Sequence, residues 1–152
     1  MNEIKNNARL EELFAKLNEN GSVGRIEENI KLLRDEMKYF PNNYKLLLEL
    51  AHYLMLTKVD EESNKKNHEE SIQICRRILK FCTDSNIRVT AQKLICYNYF
   101  GNQDNENAIK EAESLPNLWD CKETIISSFL SGDELVHTAQ NNISMFADAI
   151  RL

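Results

Sequence analysis

The side chains that could bind a metal or act as nucleophiles are four cysteines and three histidines. Cys75 and Cys82 are seven residues apart, on one face of a helix but two turns distant. They cannot share a tetrahedral zinc unless another helix adds ligands. His52, His68 and His137 show no HxxxH spacing, and no two cysteines form a CxxC pair. The sequence therefore predicts buried structural thiols, no metal site and no cofactor.

The sequence lacks the common motifs of catalysis. It contains no GxSxG, no glycine-rich phosphate loop and no HExxH. The two basic pairs, Lys65–Lys66 and Arg76–Arg77, are interleaved with glutamates, a pattern typical of a solvated helix surface. The chain is therefore expected to have no catalytic residues and not to be an enzyme.

Length and composition favour a single all-α domain over residues 1–152. The chain has only 4 glycines and 2 prolines, too few for the frequent turns of an all-β fold. Its net charge of -5 argues against nucleic-acid binding by this chain alone, since attraction to phosphates dominates that affinity. No apolar run reaches the roughly 18 residues of a membrane span. Cysteines without an export signal predict a cytoplasmic protein.

Apolar residues recur at helical spacing along most of the chain. Gly21 and Gly24 are expected to break the first helix, and Pro41 to end the second. The polar segment 57–68 is expected to be too polar to pack, either as a mobile connection or as a solvated extension of the third or fourth helix. About eight helices are predicted, over residues 3–19, 26–40, 44–55, 69–82, 86–100 and 105–114, with two more in 120–152.

The helices match the 34-residue tetratricopeptide pattern in a consistent phase. The third helix supplies the large, aliphatic and small residues of a first repeat helix, and the fourth supplies the second-helix positions. Segment 57–68 is then an insertion between them. The predicted repeat pairs are about 3–40, 43–83 and 86–115, followed by C-terminal capping helices in 120–152. The matching residues are Asn29, Leu33, Leu47, Leu50, Ala51, Leu54, Ser71, Cys75, Ile78, Ile95, Cys96, Tyr99, Ala108, Ala112 and Leu115.

Several strings extend this match to a known family. The chain resembles the C-terminal helical-repeat region of phage-repressor-type (Xre) helix-turn-helix transcription regulators of Gram-positive bacteria. In that family a DNA-binding domain precedes the repeats, and no such domain is expected in this sequence. The resemblance implies a right-handed α-α superhelix that binds DNA only through the missing domain. The strings are ARLEELFAKL (8–17), FPNNYKLLLELAHYLM (40–55), ESIQICRRIL (70–79), LICYNY (94–99), LPNLW (115–119) and SGDELV (131–136).

The same resemblance predicts a binding groove. In tetratricopeptide proteins the first helix of each pair lines the concave side, and a stripe offset from the core meets the ligand. Apolar and aromatic contacts with a few polar anchors suit a peptide or partner helix. The predicted groove residues are Phe14, Asn18, Lys45, Leu48, His52, Met55, Lys93, Tyr97 and Phe100.

The sequence is also consistent with two other arrangements, in which the last helix covers this stripe or forms a dimer. The last helix, through Leu135, Ile143 and Phe146, could fill the groove itself or pair with a second copy in a homodimer. The leading hypothesis is a non-catalytic interaction or oligomerisation module, the sensor or dimerisation part of a transcription regulator. Its partner would be a protein or peptide that shifts the population of stack curvatures. The alternative is a standalone tetratricopeptide-like scaffold that binds a protein without any link to DNA.

Overall fold

The structure, a computed structural model, describes residues 2–115 and Ile126, and it confirms the all-α class for that part of the chain. The predicted seventh and eighth helices lie outside the described residues. Between residues 2 and 115 no residue belongs to a β-strand. The six helices are α1 (Asn2–Ser22), α2 (Ile26–Glu36), α3 (Tyr44–Leu56), α4 (Glu61–Phe81), α5 (Ser85–Gly101) and α6 (Asn105–Ala112).

Four of these helices begin at an Asn or Asp whose side chain caps them. The Asn43 side chain accepts a hydrogen bond from Leu46 N at 3.2 Å, as its position before the third helix predicts. Asp84 caps α5 through Asn86 N and Ile87 N. Asp60 and Asp104 cap α4 and α6 in the same way. These caps satisfy amide groups that no intrahelical carbonyl can reach.

Two predicted helix ends are wrong. Gly21 lies inside α1, because one glycine in a helix costs only about 1 kcal/mol. The chain turns instead at Gly24, whose φ of 77° is the left-handed conformation that glycine adopts freely. Helix α2 ends at Glu36 rather than at Phe40, since residues 37–39 form a turn ahead of Pro41.

Residues 61–68 extend α4, one of the two forms predicted for segment 57–68. Most of the segment is exposed, as predicted, but its two ends pack. Asp60 starts the helix, and residues 61–68 form its first turns. Thr57 and His68 are buried. The Asn67 side chain donates a hydrogen bond to Thr57 Oγ1 at 2.9 Å. Polar residues pack here because they find hydrogen-bond partners in the neighbouring helices.

The Asp60 cap gives α4 a testable dependence on pH. Hydrogen bonds from the backbone and side chain of Ser63 hold the pKa of Asp60 below its ordinary value of 3.8. The folded chain thus keeps this stabilisation above about pH 5 and loses it as pH falls through 3.8 and below. The Asp60→Asn variant retains a side chain that can cap α4. We expect it to melt at a lower temperature than the wild type at neutral pH, and we expect this difference in melting temperature to shrink on acidification. A gap that widens below pH 4 would contradict this assignment.

The core is continuous and centres on α3. One cluster joins α3, α4 and α5, a second joins α1, α2 and α3, and a third joins α5 and α6. Each helix packs on the next along the chain, and α3 also packs directly on α5. Fourteen of the fifteen residues that match the repeat pattern are buried, and the fifteenth, Tyr99, is half-buried.

Arginine side chains connect α2 to α4 and α4 to α6. Arg34 on α2 binds the Glu70 carboxylate on α4 at 2.9 Å, and Arg76 on α4 binds Glu111 on α6. Arg77 donates to the Asn42 side chain in the turn before α3 at 3.0 Å. The Arg76–Arg77 pair therefore contacts neighbouring elements and is not simply a solvated surface.

Candidate functional site: a face of α1, α3 and α5

All nine predicted groove residues reach the surface of the described chain. The most exposed aromatic residues among the nine are Tyr97 and Phe100 on α5, with 40% and 41% of their surface accessible. Exposed or half-buried positions on three separate helices are what a shared face requires. Asn18, Lys45, His52, Tyr97 and Phe100 are exposed, and Phe14, Leu48, Met55 and Lys93 are half-buried.

Side chains of α1 and α3 contact each other at this face. The Lys45 ammonium lies 4.8 Å from the centroid of the Phe14 ring, a cation–π contact between two predicted groove residues. Tyr53 donates a hydrogen bond to the Leu17 carbonyl at 3.4 Å, which also joins α3 to α1. The structure therefore brings the α1 and α3 parts of the stripe together.

Glu49 is a residue of this face that the sequence reasoning missed. It is half-buried on α3, four residues after Lys45 and three before His52, so all three share one side of the helix. Burial raises the pKa of the Glu49 carboxyl, and the charges of His52 and Lys45 oppose that rise. The i,i+4 spacing of Lys45 and Glu49 is the sequence signal that could have identified it.

Helices α3 and α5 are joined at their C-terminal ends by a buried side chain of α4. His68 Nε2 lies 3.2 Å from the Met55 carbonyl oxygen, and His68 Nδ1 lies 2.7 Å from the side-chain oxygen of Asn102. Met55 is a predicted groove residue, and Asn102 follows α5 two residues after Phe100. Through His68, the groove residues near the C-terminal ends of α3 and α5 lie at the same end of this helix pair.

The nine groove residues line none of four clefts of about 160 to 380 Å³ on the described chain. The smallest of the four adjoins the end of the face, since His68, Gly101 and Asn102 line it. One cleft of about 380 Å³ separates Ile26 at the start of α2 from Leu56 at the end of α3. A shallow face with apolar and charged side chains suits a peptide or a helix better than a small molecule.

The cysteines of the described chain belong to the core. Cys75, Cys82 and Cys96 are free and buried, as predicted, and Cys121 lies outside the described residues. Burial raises the pKa of the Cys75 and Cys96 thiols to about 12, so almost no thiolate is present at neutral pH. Residues 2–115 also contain no group of three or more His, Cys, Asp or Glu side chains placed to hold a metal.

This burial predicts chemical protection of two thiols. We expect iodoacetamide to leave Cys75 and Cys96 unmodified in the folded chain and to alkylate both in denaturant, because the thiolate is the reactive form. Peptide mapping by mass spectrometry reads each site separately. Alkylation of Cys75 in the native chain as fast as in denaturant would place this helix interface outside the core.

Comparison with models of protein families, with curated proteins and with solved structures finds no match. Across the described residues, no helix combines the length and the apolar character that crossing a bilayer requires.

Proposed function

We propose that this chain is a non-catalytic interaction module built as a right-handed α-α superhelix of tetratricopeptide-like pairs. The packing of the helices carries the proposal. Helix α3 packs on α5, and the Lys45 side chain of α3 contacts the Phe14 ring of α1. Ion pairs Arg34–Glu70 and Arg76–Glu111 join α2 to α4 and α4 to α6. Contacts between alternate helices support a helical-repeat stack.

The partner surface in this proposal is the face of α1, α3 and α5. Half-buried Phe14, Leu48 and Met55 supply apolar contact area, while exposed Tyr97 and Phe100 supply aromatic anchors. Aromatic side chains provide large contact areas and are enriched among residues that dominate binding energy. The charged and polar members of the face then orient the bound peptide or protein. The predicted homodimer would form through the last helix, with Leu135, Ile143, Phe146 and Ile150, which lies outside the described residues.

In its wider role the module is the sensor or dimerisation part of an Xre-type transcription regulator. A partner that binds one curvature of the stack more tightly would shift the population toward that curvature and reposition an attached DNA-binding domain. The alternative is a standalone scaffold that binds a protein partner. The reading frame upstream of Met1 separates the two, since about 60 further residues with a helix-turn-helix pattern are expected for a regulator.

Selection from a random peptide library displayed on phage tests the binding function. We expect the full chain to enrich peptides that bind with a Kd of about 1 μM. We expect the double variant Tyr97→Ala/Phe100→Ala to weaken that binding at least about thirtyfold, because truncating even one anchor aromatic costs about 2 kcal/mol.

Exposed aromatics outside the face provide a matched control. Tyr39 follows α2 and Phe81 ends α4, and both are more exposed than Tyr97 and Phe100. The double variant Tyr39→Ala/Phe81→Ala removes the same two ring types and is expected to leave the Kd within a factor of about two. Failure to enrich any peptide, or equal losses in the two double variants, would refute the proposed face.

A further inference from the structure

Two layers of buried polar contacts cross the interface of α3, α4 and α5. In the first, Ser71 donates to the Ala51 carbonyl at 2.7 Å and accepts from Asn98 Nδ2 at 2.8 Å. In the second, His68 stands between the Met55 carbonyl and the side chain of Asn102. Ser71, Asn98 and His68 are all buried. In each layer one α4 side chain contacts α3 on one side and α5, or the residue that follows it, on the other.

The two layers are one helical turn apart on all three helices. Ala51 and Met55 are four residues apart, as are Asn98 and Asn102, and His68 precedes Ser71 by three. Such spacings place both residues of each helix on the same side. The contacts therefore fix the relative height of α3 and α5 as well as their separation, and buried polar contacts of this kind specify one arrangement more strictly than apolar packing.

The second layer leaves no room for a side chain at the end of α5. A Cβ built on Gly101 would lie 2.8 Å from His68 Cε1, closer than real Cβ atoms come to another atom, and 3.2 Å from Nδ1, closer than most do. His68 is only 9% exposed, and each of its ring nitrogens lies within hydrogen-bond distance of an oxygen, one on Met55 and one on Asn102. The ring cannot move away without breaking one of those contacts.

We infer that His68 is a positioning residue that sets the separation between the C-terminal ends of α3 and α5. Its imidazole acts as a spacer with a fixed partner on each side, Met55 on α3 and Asn102 after α5. Met55 and Phe100 lie at this end of the face, so the spacer also fixes how far apart they stand. That last consequence rests on the proposed function, whereas the spacing itself does not.

The inference is tested by placing Gly101→Ala in two backgrounds and recording amide NMR spectra of the full chain. With His68 present, the added methyl group should displace the ring and shift amide resonances along residues 45–56 of α3 as well as on α5. In the His68→Ala background the same change should leave the α3 amides unmoved, because the three atoms nearest the added Cβ all belong to the His68 ring. His68→Gln serves as the second background if His68→Ala does not fold.

Gly21→Ala is the matched control, since it makes the same substitution near the C-terminal end of α1, where a Cβ would meet Tyr53 Oη at 3.3 Å. It should leave the α5 amides unchanged in both backgrounds. Equal α3 shifts from Gly101→Ala with and without His68 would overturn the spacer role.

The selected peptide adds a functional measurement. Gly101→Ala should weaken peptide binding about tenfold with His68 present and leave it unchanged in the His68→Ala background. If the amide shifts depend on His68 while no peptide binds any variant, the spacer role stands and the proposed partner surface fails. If peptide binding is lost equally in both backgrounds, the positioning of the face by His68 is refuted.

Discussion

Replacing Leu50 with alanine is expected to lower the free energy of unfolding by about 2–5 kcal/mol. Leu50 is 3% exposed and lies on α3, the helix shared by the two larger core clusters. Its side chain packs in the cluster that also holds Leu17 and Leu33. A cavity there removes contacts in the cluster that joins α3 to α1 and α2, and close-packed interiors close such cavities only in part.

Urea denaturation followed by far-ultraviolet circular dichroism measures this loss. Leu56→Ala is the matched control, because Leu56 is a leucine on the same helix that is 39% exposed. It should change the free energy of unfolding by about 0.5 kcal/mol or less. A loss below about 1 kcal/mol for Leu50→Ala would contradict the placement of Leu50 in the core.

Replacing Asn29 with alanine is expected to cost about 1–3 kcal/mol of stability, because it leaves a buried amide without its partner. Asn29 Nδ2 donates to the Leu17 carbonyl at 2.9 Å, and Asn29 Oδ1 accepts from Asn20 Nδ2 at 3.0 Å. Both asparagines are buried between α1 and α2. After the substitution, Asn20 has no acceptor in this contact.

The same urea titration checks this prediction. The control is Asn7→Ala, at an exposed asparagine of α1 that makes none of these contacts. It should be neutral or slightly stabilising, since alanine favours a helix more than asparagine does. An Asn29→Ala variant as stable as Asn7→Ala would show that the asparagine pair contributes nothing to the docking of α1 on α2.

The number and order of the described helices could be predicted from local signals, because those signals act within a few residues. Asn43 and the Thr83–Ser85 stretch mark positions where helices begin or end. The apolar spacing of α3 and α5 identifies the sides of these helices that face the core. Gly21 misled the prediction because the cost of one glycine is smaller than the gain from continuing a packed helix. Asp60, followed by two glutamates, carried a helix-start signal that the polarity of segment 57–68 obscured.

The contacts of the candidate site are harder to predict, because they join residues far apart in the sequence. The burial of His68 depends on the Met55 carbonyl, on the Asn102 amide and on the missing side chain of Gly101. The half-burial of Glu49 depends on packing around α3 that no local pattern encodes. The helical period predicts which residues share a stripe, and only the packed structure shows which stripes are neighbours.

The claim that α1, α3 and α5 form one partner surface is tested most directly by titrating the selected peptide into the ¹⁵N-labelled full chain. We expect amides of all three helices, around Asn18, His52 and Tyr97, to shift together with a single Kd for the peptide. The outer sides of α2 and α6 should stay unchanged. Shifts confined to one helix, or centred on α2 and α6, would contradict a shared face and refute the interaction module proposed here.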